Sequence, residues 1–146
     1  MILYLALMAL LLLGRRGTDI GRLRPVEAVQ LYEVDGIVFL KTDTGDLGWG
    51  LTLEQAIGKL RETTPGQIYL DTADFLLLEK GTEKYLPDLG CLLKKRTLLV
   101  YGEVGVDLKA AVEYLRIHKP SCRLGMGRKP GQILAYEGGK MNLKNI

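Results

Sequence analysis

The chain opens with an unbroken apolar run, Ile2 to Leu13, closed by Gly14, Arg15 and Arg16. A run of about a dozen residues falls short of the ~20 that an ordinary bilayer-spanning helix needs, and it matches the length of a signal-peptide core. It therefore sets how much of the chain is left to build a core. Either the run serves lipid and the remainder folds alone, or it is the first buried helix or strand of the domain. The first is the expectation. No Lys or Arg precedes the run and no small-x-small cleavage site comes after it. Arg15, Arg16, Arg22 and Arg24 make the densest basic stretch directly behind it, which suits a lipid headgroup region. By the positive-inside rule the same arginines favour a cytoplasmic position for the rest of the chain, against export. The division expected is 1–14 as an apolar leader, signal-like or anchoring, 15–137 as a single α/β domain, and 138–146 as a flexible tail.

The remainder needs no staple. A chain of 146 residues, 47% hydrophobic and 25% charged, has ordinary globular composition and buries enough surface for one core. Cys91 and Cys122 lie far apart with only His118 as a histidine, so neither a metal site nor a C-x-x-C pair is present in the sequence, and two buried free thiols are expected. The net charge of +3 is spread along the chain without a basic stripe interleaved with aromatics, so no nucleic-acid partner is expected.

Local patterns predict the elements. Val26 to Val34 and Ile37 to Thr42 read as two strands joined by Asp35-Gly36, the two-residue link whose positive φ angles suit a hairpin turn. Thr52-Leu-Glu-Gln55 reads as a capping box that opens a helix with Leu53, Ala56, Ile57 and Leu60 on one face, stopped by Thr64-Pro65-Gly66. Ile68 to Leu70 and Phe75 to Leu78 are one bulged strand or two short ones. Tyr85 to Leu93 reads as a helix with Pro87 in its first turn, and Thr97 to Tyr101 as a strand for the centre of a sheet. Asp107 can cap a helix carrying Leu108, Ala111, Val112 and Leu115 on one face, ended by Lys119-Pro120. Cys122 to Met126 and Gln132 to Tyr136 are weaker strand candidates. The fold class expected is α/β with α+β character, a mixed sheet with an N-terminal hairpin and about three packed helices, preceded by a short apolar N-terminal helix.

The residues that invite a chemical reading cluster weakly. Gly45, Gly48 and Gly50 precede a helix N-terminus, where exposed amides and the dipole favour an anion, but the spacing is neither a dinucleotide fingerprint nor a P-loop. Asp43 and Asp46 in the same stretch would repel phosphate, and structural glycines in a turn are the plainer reading. Asp71 and Asp74, with Asp43 and Asp46, could pair as acid and base or hold a cation, yet Asp commonly makes local turn and cap bonds. Trp49 stands between glycines and is either a partner contact or an anchor for the next helix. His118 sits where a helix ends and reads as a favourable neighbour of its dipole. Gly45, Asp46, Gly48, Trp49, Gly50, Asp71 and Asp74 are thus candidates for an interaction or ligand loop. No catalytic residue, metal ligand or cofactor is expected.

Three stretches carry a distant likeness: Gly14 to Leu23 (GRRGTDIGRL), Gly48 to Leu60 (GWGLTLEQAIGKL) followed by Thr64 to Leu70 (TPGQIYL), and Leu108 to Leu134, which ends in KPGQIL. In their order they resemble the first domain of the spore germinant receptor C-subunit lipoproteins, the Ger(x)C family. One departure is plain, since Gly14 and Arg15 stand at the end of the leader where that family carries its lipidation cysteine. The resemblance implies a non-enzymatic accessory of membrane-embedded proteins in a spore-forming bacterium, at the extracytoplasmic face of the cell membrane, with no site residues to transfer. The expected function is accordingly a membrane-associated interaction domain with membrane or membrane-protein partners. The rival is a cytosolic small-ligand or enzymatic α/β domain that uses the 45–50 loop and the nearby aspartates.

Overall fold

The computed structural model describes residues 2–7 and 23–146. Residues 2–7 are helical (α1) and exposed along their whole length, with Leu5 and Leu7 at 61% and 56%. The first part of the apolar run is therefore helical, and these side chains are not buried between sheet and helices. Leu10 to Leu13 and the four arginines' side chains lie outside the described residues.

Among the described residues, nine strands come after α1. β1 (Leu23–Pro25) pairs in parallel with β5 (Gln67–Tyr69) as a small separate sheet. The main sheet runs in the order β4-β3-β2-β6-β7-β8-β9. Its members are β2 (Ala28–Val34), β3 (Ile37–Thr42), β4 (Leu47–Gly50), β6 (Phe75–Leu78), β7 (Leu98–Gly102), β8 (Gln132–Glu137) and β9 (Lys140–Asn145). β2, β6, β7 and β8 are parallel, and antiparallel hairpins close both ends. This is the mixed α/β fold expected.

The local signals explain most of these elements. Asp35 and Gly36 both have positive φ (52° and 78°), as a tight hairpin requires. Helix α2 (Leu53–Thr63) begins on Thr52, whose hydroxyl accepts from the Gln55 N–H at 3.1 Å. The Gln55 carboxamide closes the box one residue early, accepting from Leu51 N–H at 3.0 Å. Helix α3 (Leu86–Leu92) has Pro87 in its first turn and follows a 3₁₀ turn, Glu83–Tyr85. Helix α4 (Leu108–Ile117) is capped by Asp107, and all four residues of its predicted apolar face are buried. His118 ends α4 with its ring stacked on Tyr114 at 4.5 Å.

Three expectations need correction. Residues 138–146 are not a loose tail: Gly138 and Gly139 take positive φ and turn Lys140–Asn145 back onto β8. That pairing satisfies backbone groups that an isolated strand would leave to water. Cys122 to Met126 form no strand, only a bridge between Arg123 and Leu98 followed by a 3₁₀ turn. Cys122 is buried, but Cys91 is exposed, because Leu89 turns inward from α3 and Cys91 falls on the outer side.

The core is split by the sheet. On the front, Leu53, Ala56 and Leu60 of α2 and Leu89 of α3 pack on Val29, Leu31, Val38, Leu40, Leu76, Leu78, Leu99 and Tyr101. On the back, α4 packs on Ala28, Phe75, Leu77, Val100 and Leu134. The crossovers β6-α3-β7 and β7-α4-β8 step the same way across the sheet, yet their helices lie on opposite faces. Two such crossovers must have opposite hands, so one is left-handed, against the strong right-handed rule for parallel strands. The placement of α4 governs what the back of the sheet leaves open.

Candidate functional site

Seen residue by residue, the glycine segment is less a loop than an edge strand. Gly45 alone among its three glycines has positive φ (89°) and turns the chain between β3 and β4. Gly48 and Gly50 lie in β4 under α2: a Cβ on Gly48 would stand 2.1 Å from the Ala56 carbonyl oxygen, and one on Gly50 would stand 2.4 Å from Gln55 Cβ. These glycines permit close helix-on-strand packing, and their residues belong to the ladder with β3. Asp46 bonds within the same turn, accepting from the Thr44 hydroxyl at 2.6 Å. Asp43 turns inward and accepts from the backbone N–H groups of Glu27 and Ala28 at 2.9 and 3.1 Å.

The other aspartates lie elsewhere. Asp71 is exposed in a 3₁₀ turn, and Asp74 pairs with Lys94 at 2.5 Å. A hollow of about 740 Å³ beside β5 includes Asp71 with Arg61 and Cys91 but none of the glycine segment. Among the described residues no three His, Cys, Asp or Glu side chains are grouped to hold a metal.

Two carboxylates at the C-terminal ends of the parallel strands are held by tyrosines. Tyr101 donates to Glu83 at 2.6 Å, and Tyr85 donates to Glu33 at 2.9 Å, with Lys84 3.3 Å from Glu33. These contacts pin the segment before α3 onto the sheet. The Tyr101 hydrogen bond holds the Glu83 carboxyl below its usual range, while burial, then the bond to Glu83, pushes Tyr101 up to about 12. A lowered carboxyl contributes stability above its unfolded value of 4.5 and loses it as pH falls through the folded value. A raised tyrosine contributes below its unfolded value of 10.0 and loses it as pH rises through about 12. Y101F should therefore cost about 1.5–3 kcal/mol near neutrality, the size of a hydrogen bond to a charged group. The gap from the parent, measured by urea unfolding against pH, should narrow at both extremes. A pH-independent gap would contradict this.

Trp49 is the member of the candidate set that points to a surface. Side chains alternate along a strand, so Gly48 and Gly50 facing α2 puts Trp49 on the back of the sheet. There it lies opposite Phe39, which lies opposite Tyr32. The Tyr32 and Phe39 rings stack at 5.0 Å and 10°. Tyr32 is followed across the sheet by Glu79, whose N–H continues the ladder to Leu31 O at 3.0 Å. Burial, and then the negative charge of Glu79, raises the Tyr32 hydroxyl above its ordinary pKa. At the other end Lys59 reaches round from α2 to stand 5.0 Å from the Trp49 ring centre. The result is one row across four strand positions and the sheet edge: Glu79, Tyr32, Phe39, Trp49, Lys59.

Helix α4 does not cover this row. Its apolar partner on β2 is Ala28, whereas Val34 (45%) and Trp49 (42%) are exposed and Ile37, Phe39 and Leu47 are half-buried on the same face. Tyr32 and Phe39 spend one ring face each on the other, and the surface offers the remaining aromatic and aliphatic carbons. An apolar protein or lipid surface needs only the area.

Sequence reasoning singles out Trp49 but misses Tyr32, Phe39, Glu79 and Lys59. The alternation in IVFLKT is a usable signal, since it places Phe39 opposite the inward Val38 and Leu40. No family model matches the chain, and no curated protein or solved structure matches it.

Proposed function

We propose that this protein is a non-enzymatic, membrane-associated interaction domain that works through the open back face of β2, β3 and β4. The observation that carries the reading is the uncovered aromatic row, an apolar patch with a charge at each end. Contiguous exposed apolar surface of this kind marks contact sites. The exposed apolar side chains of α1 support the membrane part, although no helix among the described residues is long and apolar enough to cross a bilayer. The non-enzymatic part draws on the way the carboxylates are used: Asp43 holds backbone amides, Asp74 a lysine, and Glu33 and Glu83 tyrosines. An accessory role beside membrane-embedded germination proteins, at the extracytoplasmic face, is the more specific form of this proposal and rests on the segment likeness alone.

The test uses full-length protein in cells. A benzophenone amino acid at position 39 should give a light-dependent adduct in the membrane fraction, and the same group at Glu62, on the exposed side of α2, should not. Protein confined to the soluble fraction, or equal adducts at both positions, would overturn the reading.

A further inference from the structure

We infer that the occupant of the open face is a second copy of this chain, packed sheet to sheet about a two-fold axis parallel to the strands through Phe39. This rests on the proposed interaction surface and names its partner. The order of the row selects that partner. Acidic Glu79 stands at the β6 end, Lys59 beyond the β4 end, and Phe39 at the midpoint between them, with Tyr32 and Trp49 on either side. A two-fold along the strand direction reverses that order in the copy. Glu79 then faces the copy's Lys59, Tyr32 faces the copy's Trp49, and Phe39 meets its own equivalent.

Such an interface is isologous, each contact occurring twice. The charges support it as well as the apolar centre. Glu79 and Lys59 are in no ion pair among the described residues, while Lys84, Lys94, Arg116 and Lys144 all have one. On the same axis Lys41 of β3 meets its own equivalent, so the charge complementarity of the interface rests on the Glu79–Lys59 pairs at its two ends. Sheets packed face to face lie ~10 Å apart, room for one interdigitated layer of these side chains.

The test uses the purified full chain carrying C91S, which removes the exposed native thiol. F39C should be joined into dimers by a short bismaleimide at least fivefold more than E62C. Adding E79K should abolish most of that yield by setting two positive charges against each other across the interface, as K59E should by pairing two negative ones. Combining E79K with K59E should restore it. Circular dichroism checks that each variant is folded, and E79K alone decides the matter if the Lys59 variants melt. Equal cross-linking at positions 39 and 62, or cross-linking indifferent to both charge reversals, would overturn the dimer. So would emission from Trp49 that is blue-shifted by vesicles but independent of protein concentration, the result expected for lipid cover. In those cases a light-dependent adduct at position 39 in cells would still leave the interaction surface standing.

Discussion

G48A should unfold the protein ~10 °C below the parent in a thermal melt followed by circular dichroism. The added methyl would stand 2.1 Å from the Ala56 carbonyl oxygen, 2.7 Å from Leu60 Cβ and 2.8 Å from Leu60 N. Two of these atoms are helix backbone, so no side-chain rotation relieves the clash and α2 must lift from β4. Overpacking of a core costs about 1–3 kcal/mol when side chains can give. A rigid neighbour puts this substitution at about 3 kcal/mol or more, and for a domain of this size 1 kcal/mol corresponds to roughly 3–5 °C. Lifting α2 would also withdraw Lys59 from Trp49, so the emission of the chain's single tryptophan should change in parallel. A melting point within ~2 °C of the parent would show that α2 is not seated on β4 as described.

L115A should cost about 3 kcal/mol, within the ~2–5 kcal/mol range for a large aliphatic side chain removed from a packed core. Leu115 is fully buried, and it works with Leu108, Ala111 and Val112 as the face by which α4 holds the back of the sheet. Among the described residues α4 is the one helix packed on that side. Its loss would expose Phe75, Leu77 and Val100, whereas the front face keeps α2 and α3. Hydrogen exchange should accordingly show α4 amides opening before those of α2. Urea unfolding gives the size of the effect, and a change under ~1 kcal/mol would mean that α4 contributes little to the core. Because α4 also bounds the open face, L115A should enlarge the apolar surface available to partners and increase association.

Much of the chain can be read before folding. The Asp35-Gly36 turn, the Thr52 cap, the α4 face and the central strand at Thr97 to Tyr101 are all where local pattern puts them. Each depends on a φ preference, a cap bond or a periodicity within a few residues. The misreadings share the opposite property. Gly48 and Gly50 look like loop glycines until α2 is laid across them, Cys91 looks buried until the inward side of α3 is known, and the last nine residues look loose until β8 offers them a partner.

The amino-acid order by itself thus determined the β2–β3 hairpin, the starts of α2 and α4 and the apolar side of those two helices, because those depend on interactions within one turn of helix or one hairpin. Only the tertiary structure decided that α4 crosses on the opposite face from α3, and hence that Tyr32, Phe39 and Trp49 line up uncovered between Glu79 and Lys59. That outcome depends on how residues distant in the chain share a limited amount of buried surface, and no local pattern records which half of a sheet will be left without a helix.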